Sequence, residues 1–134
     1  MSGGTDQTNI KQFRAELADL KKLSMDRLVD IADAVGKAVA RQVKMNQIRR
    51  FLDGARKVEA QLKNPEDFDK VKDQIVLLRP KLAYAAGRHR DVKDLAELLD
   101  PAVKSAAQTH DNFMKFLRFM ESIIAYHRYH GGKD

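Results

Sequence analysis

The stretch "THDNFMKFLRFMESIIAYHRYHGG", Thr109 to Gly132, carries the fold assignment. Drawn at roughly 100° per residue, the apolar side chains between Phe113 and Tyr126 cover about half of a helix circumference, with Phe119 and Tyr126 on the flank. Thr109 is a residue type that caps a helix start, and Gly131 and Gly132 stop it. A helix so broadly apolar is either the centre of a bundle or has a flank that another protein chain closes.

Working outward, the rest of the chain keeps helical spacing. Ile10, Phe13, Leu17 and Leu20 mark a short amphipathic helix. Ser24 caps a second helix, whose inner stripe is Leu28, Ile31, Ala32, Val35, Val39 and Val43, with Gly36 in mid-pattern. Asn46 is positioned to cap a third, with Ile48, Phe51, Leu52, Ala55, Val58 and Leu62 facing inward. Asn64, Pro65, Glu66 and Asp67 form a strong start for a fourth, since Pro suits the first helical position and acids suit the positive end of the dipole. Pro80 predicts a kink or restart, and Asp100–Pro101 a break or bend in the helix that begins near Val92. No alternating apolar–polar run or hairpin dipeptide interrupts this pattern. The expected fold is all-α, a compact bundle of five to six helices over residues 10–134, preceded by a disordered start at residues 1–9.

Composition narrows the function. The chain has no cysteine, which excludes disulfides, thiolate metal sites and cysteine nucleophiles and fits a reducing, cytoplasmic setting. No apolar run approaches the roughly 18 residues of a membrane span. The net charge of +6 is unevenly placed. Residues 36–63 hold eight Lys/Arg against Asp53 and Glu59, and residues 79–93 hold five against Asp91, leaving a net −4 on the remainder. Two basic segments on an otherwise acidic chain fit a surface that meets a polyanion, although a basic face can also be merely solvated.

Within the first segment, Arg49, Arg56 and Lys63 recur at steps of seven, about 10 Å apart along a helix axis, a spacing that matches successive phosphates of a strand. Arg50 and Lys57 form a second line roughly 100° round. The second segment, "LRPKLAYAAGRHR" (78–90), places Lys81, Tyr84 and Arg88 on one face, with Ala83, Ala85, Ala86 and Gly87 keeping the surface low. Bases interleaved with an aromatic suit RNA, where charge holds the backbone and a ring can stack. Tyr84 could equally be a core residue with its hydroxyl at the rim.

Catalytic readings find little support. His127 and His130 lie three apart but lack a third ligand nearby in sequence, and His110–Asp111 is a lone "HD" pair. Neither a metal nor a cofactor is expected.

Three stretches in order, "NQIRRF" (46–51), "LLRPKLAYAAGR" (77–88) and "FMESIIAYHRYHGGK" (119–133), resemble the small subunit of the type III-A CRISPR effector, the Csm complex. The resemblance covers about residues 25–133 and none of the first 23. It implies a helical bundle without nuclease activity that stacks in several copies as an inner filament. Beside the other Csm subunits, such a protein lines the groove of the guide RNA–target RNA duplex and grips the backbone without reading sequence. By motif position, Gln47, Arg49, Arg50, Lys81 and Arg88 are the implied RNA-facing residues. Arg56, Lys57 and Arg90 join them on charge and helical phase. In the closing segment, Tyr126 and His127 are expected to pack, with His130 to Lys133 near a surface. The competing functions are a dimeric helix-turn-helix DNA regulator, with Asn46–Leu62 as recognition helix, and a structural adaptor for acidic proteins.

Overall fold

The structure, a computed structural model, describes residues 9–134. All regular elements among them are helical. The expected disordered start lies outside the described residues apart from Asn9, whose side chain caps a 3-10 turn by accepting from the Lys11 N–H at 3.1 Å. That turn, Ile10–Phe13, runs into the single-turn α1 (Arg14–Leu17). Six longer helices follow: α2 (Met25–Val39), α3 (Met45–Glu59), α4 (Phe68–Val76), α5 (Leu78–Arg88), α6 (Lys93–Ala106) and α7 (His110–Tyr129).

α7 is the axis of the bundle, packed against α2, α3 and α6. Phe113, Phe116, Phe119, Met120 and Ile123 are fully buried. Each removal of such a side chain from water contributes about 1.5–3 kcal/mol, which is why one helix can organise the remainder. The central-helix reading therefore holds. Phe119 is covered from within the chain, so it does not wait for a partner, and Tyr126 is half-buried and stacked on His130 with centroids 6.3 Å apart.

α2 approaches α7 closely at Gly36. A Cβ there would lie 2.7 Å from the Tyr126 Cβ and 2.8 Å from the His127 backbone nitrogen. Only glycine permits that approach. A buried polar set fixes the neighbouring elements: Ser105 Oγ accepts from the Leu20 N–H at 3.0 Å, and Asn112 Nδ2 donates to the Ser105 carbonyl at 3.0 Å. Lys115 extends from α7 to donate to the carbonyls of Leu20 and Leu23 at 2.7 and 2.8 Å, closing the turn that follows α1.

The caps at Ser24 and Thr109 form as expected, each side chain accepting an amide N–H from the first turn, at 3.1 and 3.0 Å. At Asn64 the Asp67 carboxylate accepts from the Asn64 N–H at 3.2 Å, and Pro65 opens the turn. The cap expected of Asn46 does not form. α3 begins at Met45, two residues earlier than a cap at Asn46 requires, with extended Lys44 before it. Amides of its first turn are met by residues 133 and 134: Met45 N–H donates to the Lys133 main-chain oxygen at 2.9 Å and Asn46 N–H to that of Asp134 at 3.3 Å.

Two prolines behave differently. The chain pauses at Leu77 and restarts as α5, so Pro80 sits in a first turn, where its missing N–H has no helical partner to lose. Pro101, expected to break or bend its helix, does not break it and lies inside a continuous α6. Its ring removes one backbone hydrogen bond, but Leu98, Leu99, Ala102, Val103 and Ala106 are all buried around it and hold the helix in register.

Candidate nucleic-acid interface

The two basic segments become α3 and α5, and these helices pack side by side. Position 54 of α3 meets Leu78 of α5, the glycine's Cβ position lying 3.8 Å from Leu78 Cδ2. At the other end, Gln47 shares a small apolar cavity of about 30 Å³ with Leu82 and Ala85. Rising numbers on one helix meet falling numbers on the other, so the pair is antiparallel.

With that register, helical phase places each charge. On α5, Leu78 and Leu82 are buried, and Arg79 on one flank is held by Asp100 of α6 at 2.8 and 3.1 Å. The hydrogen bonds that Arg79 donates to Asp100 raise its pKa above the usual value. Lys81 and Arg88 fall on the opposite flank, toward α3, with Tyr84 on the outer bank beside them. On α3, Gln47 borders the seam from its side, and Arg50 and Lys57 form the outer line next to it. All are exposed except half-buried Gln47. Arg90 lies just past α5, exposed in a 3-10 turn.

Arg49 and Arg56 belong to the other flank of α3. They border an open groove of about 300 Å³ together with Asp53 and, from α7, Glu121 and Ile124. Arg56 is partly neutralised there: its Nη2 lies 2.7 Å from Glu121 Oε2, and Arg118 donates to Glu121 Oε1 at 2.6 Å. The Arg118–Glu121 pair is the piece that the sequence reading missed, although its i, i+3 spacing was visible. Lys63 lies beyond the end of α3 at Glu59, so the line of sevens has only Arg49 and Arg56 on the helix. The predicted residues thus divide into a seam group (Gln47, Arg50, Lys57, Lys81, Arg88) and a groove group (Arg49, Arg56), with Arg90 in the turn after α5.

Among the described residues, no carboxylate oxygen lies within 4 Å of Arg49, Arg50, Lys57, Lys81, Arg88 or Arg90. Six like charges, none with a carboxylate oxygen within 4 Å among the described residues, create a positive field that a polyanion can neutralise.

The closing segment packs as expected at its centre. His127 is fully buried and donates from Nε2 to the Val43 carbonyl at 2.5 Å, while no partner among the described residues meets its Nδ1. Gly132 is buried against the His127 ring, and a side chain there would collide with it. His130 pairs with Asp33 at 2.6 Å. His110 meets Phe68 edge-on. No cluster of three or more metal-ligating side chains occurs among the described residues, and no helix there is long and apolar enough to cross a membrane.

Comparison with known proteins agrees with the quoted motifs. The family described as Csm2 Type III-A matches residues 22–133. A "CRISPR system Cms protein Csm2" of Streptococcus thermophilus is 34% identical over 92 residues, covering 66% of this chain and 74% of that protein. A protein of the same description from Mycobacterium tuberculosis (strain CDC 1551 / Oshkosh) is 32% identical over 74 residues, 53% of this chain and 59% of the relative. The match leaves out the first 21 residues, as the motifs did. The chain belongs to the Csm2 type III-A family, the small subunit of the type III-A Csm complex.

Proposed function

We infer that this subunit is a non-catalytic RNA-gripping element, which holds the backbone of guide and target RNA along the α3–α5 seam and works in stacked copies. What supports the reading is the antiparallel packing of α3 against α5, from which helical phase puts Gln47 and Arg50 beside the seam on one helix and Lys81 and Arg88 on the other, with no carboxylate within 4 Å of these charges among the described residues. Exposed Arg and Lys on helices meet phosphates without distinguishing bases, which suits a complex whose specificity comes from base pairing. One seam offers few phosphate contacts and binds weakly. Copies sharing one strand gain by raising the local concentration of the next contact.

Substituting Arg50→Ala together with Lys81→Ala tests this. Both side chains are exposed, so the fold survives. RNA affinity should fall for unrelated sequences alike, and the slope of log affinity against log salt should shrink by about 1.4, since each lost phosphate contact removes roughly 0.7 on a single strand. An unchanged slope would remove the seam from RNA binding. A preferred duplex sequence recovered by selection would favour the DNA-regulator reading instead.

A further inference from the structure

We propose that Tyr84 is a stacking platform for an unpaired RNA base, set beside the phosphate-binding residues of the seam. The inference rests on the RNA reading above and adds a second kind of contact to it. Tyr84 is 67% exposed, although it stands on a helix whose other large apolar residues at Leu78 and Leu82 are buried. Arg88, one turn on, places its guanidinium carbon 5.9 Å from the ring centroid and its Nη1 3.5 Å from the hydroxyl. The ring is thereby held against its own helix without being covered. Gly87, at i+3, presents nothing on that side, and the site of its absent Cβ has no atom within 4 Å. Ala83 is too short to screen the ring.

An exposed aromatic face flanked by Lys81 and Arg88, with Arg50 and Gln47 across the seam, matches a single-stranded segment in both parts. The bases are π-surfaces and the linkage between them is anionic. A fully paired duplex would use the charges and leave the ring idle, because its bases are already stacked. A protein partner is the less favoured occupant, since the flanks of the ring are basic and carry no counter-charge.

The test uses the full chain at low salt with two RNAs of equal length: a single strand with one central 2-aminopurine, and the same strand fully paired with its complement. Binding of the single strand should quench the 2-aminopurine emission. Tyr84→Phe should retain the quench and the affinity. Tyr84→Leu should lose the quench and bind the single strand about tenfold more weakly, with duplex affinity unchanged, since stacking on one aromatic is worth roughly that factor. Equal losses on both RNAs, or no loss on either, would overturn the platform while leaving the seam intact. If Tyr84→Leu spares RNA but releases other Csm subunits, the ring belongs to a protein contact and the proposal fails. Should Arg50→Ala with Lys81→Ala leave both affinities unchanged, the seam reading itself falls, and the platform with it.

Discussion

Replacing Gly36 by alanine sets two effects of opposite sign against each other. Removing glycine from a helix interior favours folding by about 1 kcal/mol through the unfolded chain and helix propensity. Against that, the new methyl would lie 2.7 Å from the Tyr126 Cβ, 2.8 Å from the His127 nitrogen and 2.9 Å from the Tyr126 carbonyl carbon. These atoms belong to the spine of the central helix and cannot rotate away, so α2 and α7 must separate. Overpacking of this kind costs about 3 kcal/mol at the upper end of its range, leaving a net loss of about 2 kcal/mol. For a chain of 134 residues the unfolding entropy is about 0.28 kcal/mol per degree, so Tm should fall by about 7 °C. Gly54→Ala and Gly87→Ala are internal controls. The first meets only Leu78 Cδ2 at 3.8 Å and the second nothing within 4 Å, so both should gain stability by up to about 1 kcal/mol. Urea unfolding of the three variants, with unchanged m-values, decides the matter. If Gly36→Ala is stabilised like the other two, the helix contact is not as close as described and the reasoning is refuted.

Two further outcomes follow from the packing of the N-terminal turns. The Glu16 and Glu97 carboxyls are held below their usual 4.5, chiefly by hydrogen bonds from Arg27 and Lys11 respectively. A carboxyl depressed in the folded state stabilises fully above its unfolded pKa, and that contribution is lost as pH falls through the depressed value. Stability should therefore decline on acidification below about 4.5, and Glu16→Gln with Glu97→Gln should flatten that limb while lowering stability at pH 7; an unchanged acid limb would rule out the two pairs as its source. Lys115→Met removes the ammonium that closes the turn after α1, and loss of such a charge-assisted bond costs about 1.5–3 kcal/mol. Amide exchange should rise first in residues 17–23, and uniform protection across the chain would refute the clamp.

What was legible in the sequence was local. Ser24, Thr109 and Pro65 act within one turn of themselves, and the apolar stripe of α7 is a periodicity, so each could be read from neighbouring letters. The resemblance carried by "PKLAYAAGR" and "AYHRYHGGK" was borne out by the family match. What escaped depended on partners far along the chain. The start of α3 looked like a task for Asn46, but its amides are met by residues 133 and 134. Arg56 looked free, but Glu121, 65 positions away, lies 2.7 Å from it. Pro101 looked like a break or a bend, and the helix does not break, because letters show the lost hydrogen bond but not the burial that holds the helix across it. Helical phase put Arg49 and Arg50 on separate lines, but only the packing of α3 between α5 and α7 sends those lines to separate surfaces.

The junction of Lys133 and Asp134 with Met45 and Asn46 bears on how this protein is handled as well as how it folds. Trimming the last two residues would strip the amides at the head of α3 of their acceptors, and fraying would begin two residues from Gln47 and four from Arg49. Weak RNA retention by such a preparation would report a loosened hinge pin rather than a missing contact.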